Sequence, residues 1–131
     1  VAVRRTVTAW GRLDAAINNA GVPSSGRKLT EMNSPGMGAR PPGEPDRDVL
    51  LPRARDPELR RAGGGAITNI ASGGGLHAIP LSPGYVAGKH GIVGLTKAAA
   101  LDHAGDGIRV NALAPGMTHT ATLHQIARAR P

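Results

Sequence analysis

A chain of 131 residues is long enough for one domain, and the absence of cysteine excludes disulfides and thiolate metal sites. The formal charge of +7 comes mostly from arginines that are scattered, with no aromatic residues between them and no basic stripe at helical spacing, so no nucleic-acid surface is expected. No apolar run approaches the roughly 18 residues of a membrane span, and Val1-Ala2-Val3-Arg4-Arg5 lacks the apolar stretch of a secretory leader, which leaves a soluble, cytoplasmic protein as the expectation.

Val3, Val7 and Trp10 recur at the spacing of one helical face, and Gly11 suits a C-cap. The chain is therefore expected to begin in the last turns of an amphipathic helix. Residues 13–17 (Leu-Asp-Ala-Ala-Ile) read as a short buried strand that delivers Asn18-Asn19-Ala20-Gly21 to its carboxyl end. Small residues there let backbone approach a nucleotide, and the two asparagine amides can tie neighbouring strands or a cofactor; an ordinary Asn-rich turn is the plainer reading. Residues 22–32 are polar and turn-rich. The pattern then breaks, because residues 33–61 hold six prolines and six arginines with no sustained apolar period, and neither a helix nor a strand of useful length is expected through most of them.

Residues 66–71 form an apolar run expected to be a buried strand, which places Ser72 at its carboxyl end, where open α/β sheets bind ligands. Gly73-Gly74-Gly75 and Ile79-Pro80 belong to a loop expected to line the substrate side. Ser82 suits an N-cap and Pro83 the first position of a helix running to about Ala104 and ended by Gly105. Within it Gly84, Gly88, Gly91 and Gly94 would each cost about 1 kcal/mol relative to alanine, which makes sense where the helix lies close to cofactor, sheet or a second subunit. Tyr85, the only tyrosine, and Lys89 lie one turn apart on the same face, so the ammonium favours the ionised phenol and makes it a usable acid or base. Such a phenol, a lysine that tunes it and a hydroxyl that holds an oxygen suit carbonyl/alcohol redox chemistry with hydride from a cofactor. Residues 108–114 read as the next parallel strand, joined by a right-handed crossover and delivering Pro115-Gly116-Met117-Thr118-His119-Thr120 to the sheet edge that carries Ser72 and Asn19.

The spacing Ser72-x12-Tyr85-x3-Lys89, the run Asn18-Asn19-Ala20-Gly21 and the run from Arg109 to Gly116 (RVNALAPG), in this order, resemble the short-chain dehydrogenase/reductase family over about residues 1–32 and 62–125. The resemblance implies an α/β fold, a partial Rossmann-type doubly wound parallel sheet, as a single partial NAD(P)-binding domain over residues 1–131. It implies NAD or NADP as cofactor, a small-molecule carbonyl or alcohol as substrate, and a homo-oligomer for the intact homologue. Tyr85 would be the general acid/base, Lys89 would lower its pKa and hold the nicotinamide ribose, and Ser72 would hold the substrate oxygen. Asn19, Ala20 and Gly21 would meet the cofactor, Pro115, Gly116 and Thr118 would border the nicotinamide, and Thr120 would reach a cofactor phosphate.

Two departures from the family pattern matter. No strand with a Gly-rich turn for the pyrophosphate precedes Asn18, and the residue that chooses between NAD and NADP would lie in that same segment, so an internal fragment is expected, with exposed apolar edges. In residues 33–61 the family has a long helix bearing a catalytic asparagine, and here no asparagine follows Asn33. Back-translated and read one base later, residues 43–51 permit Val-Asn-Leu-Thr-Gly-Thr-Phe-Phe, so a pair of compensating frameshifts is one account of this stretch and a disordered loop insertion is the other. His77, His90, His119 and His124 make a poor ligand set, and no metal is expected. The alternative to an oxidoreductase is a non-catalytic truncated remnant, partly folded or dependent on a partner.

Overall fold

The structure, a computed structural model, describes residues 2–19, 28, 30 and 56–118. Helix α1 (Ala2–Trp10) opens the chain. It ends where Gly11 takes φ +76 and its N–H closes on the carbonyl of Val7 at 2.8 Å, the left-handed cap that glycine adopts without steric cost. Strand β1 (Ala15–Asn18) follows, and its approach is braced by the Arg12 guanidinium on both oxygens of Asp14. Helix α2 (Asp56–Arg61), β2 (Gly65–Ile70), a 3-10 turn at Gly73–Gly75, helix α3 (Pro83–Asp102), a second 3-10 turn at Ala104–Asp106 and β3 (Ile108–Leu113) complete the described elements.

The three strands form one parallel sheet in the order β1-β2-β3. Its register pairs Ile17 with Thr68, Asn18 with Asn69, and Ile67 with Val110. Register partners point to the same side, so Ile67, Asn69, Ile108 and Val110 share one face with Asn18, while Ile17, Thr68, Arg109 and Leu113 share the other. The first face carries the core. Leu13, Leu59, Ile67, Ile108 and Val110 form a buried cluster against which Val3 and Val7 of α1 and Ala99 and Ala100 of α3 pack.

The other face is bare among the described residues: Ile17 is 68% exposed and Leu113 55%. The buried strand expected at 13–17 therefore starts later, at Ala15, and Ile17 is not core. Its side of a parallel strand needs its own covering layer, which the described residues do not supply. Trp10, expected beside Val3 and Val7, is also exposed, because it lies past the core that those two reach.

Residues 33–61 hold one described element. Pro57 sits in the first turn of α2, where its missing N–H costs no hydrogen bond, Glu58 pairs with Arg61, and Leu59 is the most completely buried side chain among the described residues. The α2–β2 connection is glycine by necessity. A Cβ on Gly64 (φ +123) would stand 2.6 Å from the Gly107 carbonyl oxygen, and one on Gly65 would stand 2.5 Å from that of Asp14. Across the sheet end, Arg60 and the His103 ring both approach one oxygen of Asp106, at 2.8 and 3.3 Å, and tie α2 to the chain after α3.

Helix α3 stops at Asp102, two residues before the expected end, and the reversal into β3 uses Gly107 (φ +69) in place of Gly105. Ser82 precedes it as expected, but its hydroxyl donates to the Pro80 carbonyl at 3.2 Å and caps no helical N–H. A Cβ on Gly88, Gly91 or Gly94 would meet nothing within 4 Å, so these glycines are not required by packing in the described structure.

Replacing Leu59 with alanine is expected to lower the unfolding free energy by about 2–5 kcal/mol, and Gly88→Ala to raise it by about 1 kcal/mol, both read from urea denaturation.

Candidate active site

The carboxyl ends of β2 and β3 are clasped by backbone. Ala71 N–H donates to the Leu113 carbonyl at 2.8 Å, and Gly73 N–H donates to that of Pro115 at 2.9 Å. Between them Ser72 has extended backbone, and its Oγ accepts a 3.1 Å bond from Gly74 N–H that closes the 3-10 turn. The hydroxyl proton of Ser72 is not used in that bond and can be given to an oxygen.

This turn lies against the first two turns of α3. The approach leaves little room for a side chain at Gly74 and none at Gly75. A Cβ on Gly74 would be 2.8 Å from Ile79 Cδ1 and 3.1 Å from Tyr85 Cε1, and one on Gly75 would be 2.8 Å from the Lys89 carbonyl oxygen. Glycines after Ser72 thus let the half-buried Tyr85 ring pack beside the end of β2. The Lys89 Nζ lies 5.8 Å from the centre of the Tyr85 ring and donates to the Ile70 carbonyl at 2.9 Å. An ammonium has three protons, so that bond leaves donors for other oxygens at the same place.

Ser72, Tyr85 and Lys89 are therefore carried by two elements that meet at one end of the sheet. Asn19 follows β1 at that end and is exposed; Pro115 (half-buried), Gly116 and Thr118 (both exposed) follow β3. The Thr118 hydroxyl makes a long 3.5 Å bond to the Gly116 carbonyl. Ala20, Gly21 and Thr120 lie outside the described residues. A Cβ on Gly116 would meet no atom within 4 Å, so the chain after β3 presents open backbone beside the Ser72 turn. Donors from Ser72 and Lys89, with open backbone at the ends of two parallel strands, fit a ligand that has ribose hydroxyls and a planar amide.

Beside the turn is a hollow of about 650 Å³, with apolar walls from Ala78, Ile79, Leu81, Pro83 and Val86. Leu81 in its rim has φ +56, a conformation that costs a non-glycine residue about 1–2 kcal/mol. Among the described residues no group of three or more histidine, aspartate and glutamate side chains converges as metal ligands, and no helix is long and apolar enough to cross a membrane.

Three residues outside the expected site join its elements. Asn18 Nδ2 donates to Asn69 Oδ1 at 2.6 Å, and Asn69 Nδ2 donates to Thr96 Oγ1 at 2.9 Å. The Asn18 amide does tie neighbouring strands, as its position suggested. Asn69 and Thr96 were recognisable only as polar interruptions, one in an apolar strand and one eleven residues beyond Tyr85 on its helix.

A parallel sheet with helices packed on it, and a long helix seated on the turn that ends its middle strand, define a Rossmann-type α/β fold. A family model described as enoyl-(acyl carrier protein) reductase matches residues 1–131, and the chain belongs to the short-chain dehydrogenase/reductase family. It is 38% identical over 128 residues to the cyclohexanol dehydrogenase of Acinetobacter sp. strain SE19, covering 98% of this chain and 51% of that protein. A crystal structure from Burkholderia xenovorans, assigned to the short-chain dehydrogenases/reductases, matches with a TM-score of 0.84 and 28% identity over 98% of this chain and 49% of the other. The structure of ElxO with NADP bound matches with a TM-score of 0.77 and 31% identity, covering 98% and 52%. The chain spans about half the length of the relatives it matches.

Gly75→Ala is expected to cost about 1–3 kcal/mol, since the new methyl meets the Lys89 backbone. Gly116→Ala, with open space around it, should stay within about 0.5 kcal/mol of the parent. Thermal or urea unfolding of the two variants side by side checks the contrast.

Proposed function

We propose that the protein is an NAD(P)-dependent oxidoreductase that interconverts a small alcohol and its carbonyl compound, with Tyr85 as the general acid/base. The observation that carries this reading is the seating of the Tyr85 and Lys89 turns of α3 against the Ser72 turn, with Lys89 Nζ 5.8 Å from the phenol ring. The match to the NADP-bound structure supports the cofactor, and the match to the cyclohexanol dehydrogenase supports a small alicyclic alcohol or ketone as a first substrate to try.

Lys89 would hold the ribose hydroxyls with the protons that the Ile70 carbonyl leaves over, and Asn19, Pro115, Gly116 and Thr118 would flank the nucleotide. When bound, the nicotinamide supplies or accepts the hydride. In the reducing direction Ser72 donates its hydroxyl proton as a hydrogen bond to the substrate carbonyl oxygen and holds it near the phenol. As negative charge develops on that oxygen, Tyr85 transfers its proton to it, and the positive Lys89 offsets the charge left on the phenol oxygen. In the oxidising direction the same groups act in reverse. Ile79 and Leu81 would form part of the apolar wall on the substrate side.

A second reading is favoured by the sheet face that the described residues leave bare: the chain by itself is a non-catalytic remnant that needs a covering partner, a role open to a second copy in a homo-oligomer. Titration of NADH and NADPH fluorescence separates the two readings. Saturable binding together with reduction of cyclohexanone at 340 nm supports the enzyme, and no binding with poorly dispersed amide resonances supports the second reading. In an active preparation Tyr85→Phe is expected to lower turnover by about 10²–10⁴-fold with the cofactor titration unchanged; retained turnover would remove Tyr85 from the chemistry.

A further inference from the structure

Helix α3 has twenty residues, many of them leucine, valine or alanine, yet its one fully buried residue is Thr96, 4% exposed. Leu95 beside it is 47% exposed and Leu101 is 80% exposed. A helix seated by apolar matching alone would bury its leucines. Here the deepest contact is polar, and its bonds have a fixed direction. Asn18 Nδ2 gives a proton to Asn69 Oδ1, which makes that atom the acceptor and leaves Asn69 Nδ2 to donate to Thr96 Oγ1. The Thr96 hydroxyl in turn gives its own proton to the Ile92 carbonyl at 2.7 Å. Strand β1, strand β2 and α3 are joined by one directed chain of hydrogen bonds.

Position along the helix gives the chain its consequence. Eleven residues at 100° each amount to three turns and about 20°, so Thr96 and Tyr85 lie on one line along α3, with Lys89 within about 40° of it. A second clasp, Lys89 Nζ to the Ile70 carbonyl, falls on the strand residue after Asn69. Turning the helix by one residue would swing all three side chains through about 100°. Fixing Thr96 on Asn69 therefore fixes the direction in which Tyr85 leaves the helix.

We propose that Thr96 is a positioning residue, acting through Asn69 to set the rotation of α3 so that Tyr85 and Lys89 face the Ser72 turn. The catalytic meaning of that placement rests on the proton-transfer reading above, but the placement can be tested without turnover. Because Tyr85 is the only tyrosine, the chain grown with 3-fluorotyrosine reports its environment as a single 19F resonance. Thr96→Val keeps the shape and removes the hydroxyl, and Thr96→Ser keeps the hydroxyl. The expected result is that Val shifts or broadens the Tyr85 resonance beyond its linewidth and removes the contact between the Tyr85 ring and Gly74 seen by nuclear Overhauser effect, with far-ultraviolet circular dichroism unchanged, while Ser restores both. A Val variant whose resonance and Gly74 contact match the parent overturns the proposal, as does a folded Ser variant displaced like Val. Should Val fail to fold, Ser decides alone: native placement of Tyr85 supports the role, and loss of fold in both variants assigns Thr96 to the core instead. Since no arm needs cofactor or substrate, an inactive chain would refute the enzymatic reading and leave this result standing.

Discussion

The contact between the end of β2 and helix α3 is the constraint on which the rest depends. Residues 69–75 meet the helix through three kinds of interaction in sequence: the Asn69 amide on a threonine hydroxyl, the Ile70 carbonyl on an ammonium, and glycine backbone against a phenol ring and a helix carbonyl. Each tolerates a different error. Apolar packing would allow α3 to roll or slide by a fraction of a turn, whereas hydrogen bonds weaken steeply with angle and the glycine contacts stop any closer approach. The result is a helix held on its neighbour strand by directional contacts as well as by packing.

Why some of this was legible in the sequence and some was not has a physical basis. The strands at 65–70 and 108–113 and the helix from Pro83 were recognisable because apolar runs bounded by glycine and a Ser-Pro start are local signals. Ser72, Tyr85 and Lys89 stood out because their spacing resembles that of the family, and the fold brings the elements that carry them together. The exposure of Ile17 and Trp10 was not, since burial depends on what other layers cover a face and the same alternation is compatible with either outcome. Leu59 shows the opposite failure: set among prolines and arginines it gives no periodic signal, yet it fills the space between α2 and the sheet. The Asn69–Thr96 bond joins residues far apart in sequence, and neither residue type announces a partner.

The small element α2 bears on how residues 33–61 are understood. Its first turn accommodates Pro57, its last turn places Arg60 on Asp106, and its leucine is the most buried in the described structure. Helical structure is described from Asp56 onward, before the Gly-rich connection at 63–65 near which the family resemblance resumes. Leu59 joins that helix to the core by volume and Arg60 joins it to Asp106 by charge.

Among the described residues nothing covers Ile17 and Leu113 on one side of the sheet, so what covers that side bears on the stability of the fold. A second copy bound there would bind the native chain and not the unfolded one, and would add stability by mass action, about 2.7 kcal/mol when present at a hundred times its dissociation constant. A melting temperature measured on a dilute sample and one measured on a concentrated sample would then describe two different equilibria, even though the strands, the helix and the tyrosine within them had not moved.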